Sequence, residues 1–521
     1  MPRFFNTTGP CNPEDHYTLP PEARMADLLP LVQQKQYFVM HAARQTGKTT
    51  AMRAFAARLR GLGMVGVWAT LEESQGVTEP SAAEPLWICA LEDAAARVLP
   101  EAQRPPAARA FLQDEPGNRL RRWLSAWAER VAPAPLVLLL DEADVVSGPA
   151  LVSLLRQLRA GFMDRGPGRF PVSIGLIGMR DLRDYLTEAK DGVAVNPGSP
   201  FNVKSESITL RDFSAEEVAQ LYAQHTAETG QVFTPDAVAR AYELTQGQPF
   251  LVNALARIAV MKLVTDPTQP ITRATIDRAK EALILSRTTH LDSLAQRLRE
   301  PRVATIVEAV LLGDQHISYQ GDDFQYVLDL GLIRRGPDGA EAANPLYREV
   351  LGRSLSANAQ DNLPRPWWPW KHPDGRLDME ALVNAFLQWW RENADMIRKH
   401  DDTPYTEAMA HLAFMGFLQR VVNGGGTVDR EYAAGRGRVD LIVTYGPDRF
   451  LIELKRVPPE GRTLKQIQKQ GVAQLSTYLD TLGLQEGWLI IFDQRPGLTW
   501  RRRMWRKELT VAGRALHLRG S

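Results

Sequence analysis

Cysteine is nearly absent: Cys11 and Cys89 are the two in 521 residues, and no CxxC pair or Cys/His cluster accompanies them. A disulfide framework and a zinc-ribbon fold are thereby excluded. The chain also lacks any apolar run approaching the roughly 20 residues of a membrane helix, and its opening residues, 1–15, have no apolar signal-peptide core. Neither sign of charge is in surplus, the formal net charge being +1, so no global field steers a partner. Internal repeats and low-complexity tracts are missing too, which excludes solenoid and fibrous architectures. These absences predict a cytoplasmic chain with no membrane partner. What is there, 44% hydrophobic and 24% charged residues, suffices for several cores, and the length predicts roughly three or more domains.

Two aliphatic, β-branched stretches near the C-terminus carry the first constellation of chemical interest. Arg438 to Tyr445 and Arg449 to Leu454 are separated by Gly446-Pro447-Asp448, the pattern of a hairpin with a short loop. Such a loop brings Asp440 opposite Glu453 or Lys455, and Glu453 and Lys455 share a face because side chains alternate along a strand. Two carboxylates can bind Mg²⁺ through oxygen, while an ammonium offsets charge at a phosphorus. Asp440 with Glu453-Leu454-Lys455 resembles the PD-(D/E)XK nuclease superfamily, with Val439 where the superfamily usually has proline. The resemblance implies Asp440 and Glu453 as metal ligands, Lys455 assisting the water, and Glu407, on a helical stretch upstream, as an added acidic residue. Glu431 is a less well placed acidic candidate. Gln474 and Tyr478, four apart on one helix face, look like the QxxxY element of the RecB-like branch, where they would steady strand ends or contact DNA. From Arg430 to Ser521 there are 17 Lys or Arg against 9 Asp or Glu; the densest cluster is Arg501, Arg502, Arg503, Arg506 and Lys507. A surplus of this kind suits phosphates.

A second constellation lies in the first half. The apolar stretch before His41 runs into Ala42-Ala43-Arg44-Gln45-Thr46-Gly47-Lys48-Thr49-Thr50 and a helical segment. Gly47-Lys48-Thr49 closes a Walker A-type loop, although Ala42 replaces its usual first glycine. Backbone N–H groups there can cradle phosphates, Lys48 can reach the β and γ positions, and Thr49 can hold Mg²⁺. Pro135 to Leu140 reads as a strand buried on both faces that delivers Asp141, for the metal, and Glu142, to polarise the attacking water. Arg180, beyond a third strand, is a candidate sensor of the γ-phosphate. A capping box at Ser214 to Glu217 and a helix start at Thr234-Pro235 predict a helical lid, followed by Gly247-Gln248-Pro249. The loop, Asp141-Glu142 and the Gly247/Pro249 element together resemble STAND and archaeal-type ATPases of the wider AAA+ group, where that last element approaches the nucleotide's base.

Residues 302–355 read as a winged helix whose Asp322, Asp323 and Asp329 would repel phosphate, so packing against the ATPase is expected. Beyond Ser356, prolines with Trp367, Trp368 and Trp370 mark a linker that is expected to clamp onto neighbouring domains, stacking of these rings on bases being the alternative. The fold expected is α/β and multidomain. A lead segment (1–25) precedes a P-loop NTPase parallel-sheet core (26–205), a helical lid (206–290) and a winged helix (291–357). A Trp/Pro-rich linker and helix (358–400), a PD-(D/E)XK restriction-endonuclease-like domain (401–512) and a tail (513–521) follow. The ensemble resembles prokaryotic ATPases fused to such nucleases. It implies an ATP-regulated, Mg²⁺- or Mn²⁺-dependent DNA nuclease, in defence against foreign DNA or in repair, with a possible homo-oligomer and an unidentified protein trigger. The alternatives are a non-cleaving signalling ATPase whose nuclease-like domain binds DNA or a partner, and a helicase-like translocase with a nuclease attached.

Overall fold

A computed structural model describes residues 3–25, 27–178, 204–286, 289–311, 321–336, 339–361, 370, 372, 374–397, 414, 417–418, 426–434, 437–458, 463–493, 495 and 497–521. The chain forms two compact units, Met1–Leu294 with Ser318–Tyr347, and Ala295–Ile317 with Arg348–Ser521.

In the first unit a fully parallel sheet has the order β2-β3-β4-β1-β5, from β1 (Tyr37–His41), β2 (Val65–Thr70), β3 (Leu136–Asp141), β4 (Ser173–Gly178) and β5 (Lys204–Thr209). Both faces are covered, so its inner strands read as unbroken apolar runs. Alternation along β3 sends Leu136, Leu138 and Leu140 into the core beneath α3 (Pro80–Val98), α4 (Arg119–Val131) and α5 (Gly148–Met163). It sends Val137 and Leu139 into the opposite core with α1 (Leu28–Gln33) and α2 (Lys48–Gly61). Gly175 makes room for Phe38 across the β1–β4 pair, since a Cβ there would stand 2.5 Å from the ring.

The lid follows as α6 (Ala215–Thr229), α7 (Pro235–Thr245), α8 (Pro249–Ile258) and α9 (Arg273–Leu285). Its first helix starts at the expected capping box, Ser214 with Glu217, and its second starts at Pro235 after Thr234. The lead segment is built into this unit: Phe5 packs against Tyr17, Tyr222 and Phe233, and Arg3 pairs with Glu228. After α10 (Thr289–Arg297) and α11 (Pro301–Leu311) come α12 (Asp322–Asp329) and the hairpin β6 (Ile333–Gly336)–β7 (Gly339–Ala342). The expected winged-helix range is not one body, because α11 belongs to the second unit and α12 with the hairpin to the first. The part in the first unit packs on the loop after β1 and on the lid. A Cβ at Gly331, which has φ +71°, would lie 2.3 Å from the Ala43 Cβ, and Arg334 Nη1 donates to Gln246 Oε1 at 3.0 Å.

α13 (Pro345–Asp361) and α14 (Met379–Ile397) lead to a mixed sheet of order β12-β13-β11-β10-β9-β8. Its strands are β8 (Gly426–Ala434), β9 (Gly437–Tyr445), β10 (Asp448–Val457), β11 (Glu486–Asp493), β12 (Trp505–Val511) and β13 (Arg514–Gly520). β8, β9 and β10 pair antiparallel, whereas β10, β11 and β13 run parallel, with α15 (Leu464–Leu482) as the crossover between β10 and β11. Two boundaries differ from expectation. Residues 513–521 are no tail: β13 is an inner strand whose Leu516 and Leu518 are fully buried, and the interspersed Arg514, His517 and Arg519 disguise it as surface. α14 is not linker either, because Phe386 and Trp390 pack on Phe492 of β11. Trp370 is half-buried against the same core, whereas Trp367 and Trp368 lie outside the described residues.

Candidate functional sites

The first site is made where β1 turns into α2. Gln45 at φ 60° and Gly47 at φ 85° are both left-handed, a conformation that glycine tolerates and that costs a side-chain-bearing residue roughly 1–2 kcal/mol. Gly47 caps α2 without a side chain, leaving the first-turn N–H groups directed at an anion site. Lys48 Nζ donates to Ala42 O at 2.7 Å and Ala43 O at 2.9 Å. Burial lowers the Lys48 pKa, against the pull of Asp141, Glu142 and Asp144. Thr46 Oγ1 donates to Ala43 O, and Thr50 Oγ1 accepts from the Cys11 N–H at 3.0 Å. Arg44 and Gln45 are exposed at the rim.

Asp141 ends β3, two strands from β1. Its Oδ2 accepts from Thr49 Oγ1 at 2.8 Å and from Trp68 Nε1 at 3.1 Å, so the hydroxyl and carboxylate expected to share Mg²⁺ already touch. That donor set suits the ion. Glu142 follows at φ 54°, and burial, then the charges of Asp144 and Asp141, raise its pKa. Arg180 lies outside the described residues.

Arg24 and Gln248 complete this site, and sequence spacing gave no sign of the first. Arg24 is buried; its Nε donates to Arg211 O at 2.7 Å, its Nη2 to Thr46 O at 2.8 Å, and its guanidinium lies 4.8 Å from the Phe213 ring centre. Burial lowers its pKa to about 10, which leaves it cationic at neutral pH. Gln248 Nε2 donates to Gln45 O at 3.3 Å, while its Oε1 caps Leu251 N of α8 at 2.7 Å. Consecutive loop carbonyls are thus held by the lead segment and the lid. Gly247 and Pro249 shape the turn that presents Gln248. Gly247, at φ +80°, passes so near Phe213 that a Cβ would stand 1.9 Å from its carbonyl oxygen, and Pro249 opens α8. Arg24→Ala is expected to raise the KM for ATP about tenfold, the scale of a charge-assisted hydrogen bond, with a smaller change in kcat and partial recovery in Arg24→Lys. Steady-state hydrolysis measures it, and an unchanged KM would leave Arg24 a purely structural residue.

The second site lies on β9 and β10. Ile452 pairs with Leu441, so one step on Glu453 stands opposite Asp440. Leu451 and Val457 of β10 and Ile442 of β9 face the core under α15, and alternation puts Glu453, Lys455 and Asp440 on that same face. Asp440 Oδ2 accepts from the Leu454 N–H at 2.8 Å, and Lys455 Nζ reaches Glu453 Oε1 at 2.6 Å. Glu453 is 1% exposed. Burial first, then the Asp440 charge, raise its carboxyl to about 7 against the pull of Lys455.

Its second oxygen, Oε2, is buried with no hydrogen-bond partner, and an orphaned carboxylate oxygen beside Asp440 suits a divalent cation. Among the described residues no group of three or more His, Cys, Asp or Glu side chains is placed to hold an ion, so Asp440 and Glu453 are the candidate ligands among them. Glu407 lies outside the described residues, as does the side chain of Glu431. On α15 the Gln474 Oε1 is buried and unpartnered, and Tyr478 is buried in the core beneath the helix.

Residues 185–353 match the AAA-like domain family. Over those residues the chain is similar to an AAA-like domain. The match begins after β4, so the phosphate loop and Asp141 rest on geometry. Residues 379–495 match a family described as a domain of unknown function (DUF8371), a span that opens with α14 and so agrees with its place in the second core. No curated protein matches the chain.

Solved structures similar to it include the Walker-type ATPase PABY2304 of Pyrococcus abyssi, at 16% identity over 67% of this chain and 99% of that one, TM-score 0.47. They also include the Aeropyrum pernix ORC1 protein in complex with DNA, at 13% identity over 69% and 95%, TM-score 0.32. A third is the Thermotoga maritima RuvB Holliday junction branch migration motor, at 13% over 63% and 92%, TM-score 0.32. Among the described residues no helix is long and apolar enough to cross a membrane.

Proposed function

We propose that the chain is a metal-dependent DNA nuclease governed by ATP binding and hydrolysis. The observation that supports it most is the convergence of Asp440, Glu453 and Lys455 on one sheet face, with a buried, unpartnered Glu453 oxygen between them. Asp440 and Glu453 would hold Mg²⁺ or Mn²⁺, which lowers the pKa of a bound water and polarises a phosphodiester oxygen. Lys455, partly exposed beside Glu453, neutralises charge that builds on the phosphate, and Gln474 lends a polar oxygen to the same helix-covered face. In the first unit Lys48 and the α2 N-terminus bind the phosphates of ATP, Thr49 and Asp141 would hold its Mg²⁺, and Glu142 accepts a proton from the attacking water.

The test uses plasmid and linear DNA with the full chain, with and without ATP and with Mg²⁺, Mn²⁺ or EDTA. Metal-dependent cleavage that changes with ATP is expected. Absence of cleavage under every condition, with ATP hydrolysis intact, would make the second unit a binder and overturn the nuclease.

A further inference from the structure

The two ends of the second sheet differ in charge. At the N-terminal ends of β10 and β13 two cations are neutralised. Arg376 pairs with Asp448 at 2.7 Å and Arg514 with Asp480 at 2.6 Å. At the opposite end, Lys465 and Lys469 on the first turns of α15, and Arg501 and Arg502 just before β12, are all exposed. None of these four has an ion-pair partner among the described residues, whereas neighbouring Arg495 is paired with Asp493 at 2.6 Å.

Register fixes where these cations stand. Lys455 pairs with Ile491, Ile491 with Gly520, and Gly520 with Trp505, so one row across the sheet joins Lys455 to the residue that follows Arg501–Met504. Three strand spacings of ~4.8 Å make that row about 14 Å long. α15 runs antiparallel to β11, with Gly471 over Leu489 and Leu475 over Gly487, and its first turns therefore project at the same end. Two unpaired basic groups flank the end of the sheet towards which Lys455 lies.

We propose that this end is a docking surface for the phosphate backbone of duplex DNA, with Lys465 and Lys469 on one flank of the Glu453–Lys455 site and Arg501 and Arg502 on the other. The assignment rests on the nuclease reading for its choice of DNA, and on charge and register for its residues. A duplex fits better than unpaired strands, because single-strand sites offer aromatic platforms to the bases. Here the exposed large apolar side chains among the described residues all belong to the first unit. Contacts of this kind position the backbone without reading sequence.

Fluorescence anisotropy of a labelled duplex in EDTA, across a salt series, tests the surface apart from cleavage. Removing two cations in Arg501→Ala/Arg502→Ala, or in Lys465→Ala/Lys469→Ala, is expected to lower the slope of log affinity on log salt by about two. Affinity falls with it, the Arg501→Lys/Arg502→Lys variant recovers most of it, and Lys262→Ala in the lid leaves it unchanged. An unchanged slope and affinity in both alanine pairs overturns the surface, and so does tighter binding of a single strand than of the duplex. Loss of binding in those pairs beside a wild type that never cleaves with Mg²⁺ or Mn²⁺ keeps the surface and removes the nuclease. Cleavage by alanine pairs at the wild-type kcat/KM does the reverse.

Discussion

Replacing Lys48 by alanine is expected to lower ATP hydrolysis at least ~100-fold, the usual scale for deleting a charged group that faces a transferring phosphoryl. Thermal stability should change far less, because two effects oppose. The substitution leaves Ala42 O and Ala43 O without their donor, costing about 1–3 kcal/mol for each carbonyl that water cannot reach, but it also relieves a buried ammonium whose desolvation is the first cause of its lowered pKa. A large fall in melting temperature would show Lys48 to be chiefly a structural group.

Glu142→Gln separates binding from chemistry: fluorescent-nucleotide affinity stays near wild type while hydrolysis falls. The sign of the pH response follows from the raised Glu142 pKa. A base that must be ionised loses activity as pH drops through a value above the ordinary carboxylate range, so the acid limb sits higher than for an exposed glutamate. Hydrolysis that stays flat down to the ordinary carboxylate range would take the base role from Glu142.

Much of the geometry of both candidate sites was legible because each is carried by short, locally determined structure. Gly47-Lys48-Thr49 must follow a strand and open a helix, and the hairpin of β9 and β10 fixes the side on which Asp440 and Glu453 fall once its loop is short. What sequence did not show is long-range. Arg24 reaches Thr46 O across 22 positions, and nothing in an exposed-looking Pro-Pro-Glu-Ala-Arg run announces a buried guanidinium. Gln248 was in view inside its glycine–proline turn, yet its carboxamide, not the flanking residues, contacts the phosphate loop. β13 was missed because its charged residues pair with partners on other strands, on α14 and on α15, as with Arg519 between Glu380 and Glu508. α14 read as linker because a tryptophan-rich helix shows its apolar stripe but not the sheet it covers.

Lys455→Ala and Glu453→Gln are each expected to reduce metal-dependent DNA cleavage by ~100-fold or more while ATP hydrolysis continues, and Glu453→Gln carries a second signature that a structural glutamate would not. Because burial and Asp440 lift the Glu453 pKa in the fold, Glu453 contributes stability that is complete below the ordinary glutamate pKa and is lost as pH rises through about 7. Without metal, Glu453→Gln should therefore melt above wild type at pH 8 and level with it near pH 4. The shift is read at about 2–4 °C per kcal/mol for a unit of this size. Adding Mg²⁺ or Mn²⁺ should raise the wild-type melting temperature through ligand linkage and leave Glu453→Gln unmoved, since the proposed cation would lose one of its two carboxylates. A glutamate kept for packing or for its Lys455 ion pair alone gives the opposite: a less stable amide variant at pH 8, and the same metal response in both proteins. Buried carboxylates held against their own solvation are the price of a cation site, so activity and stability should move in opposite directions at this one residue.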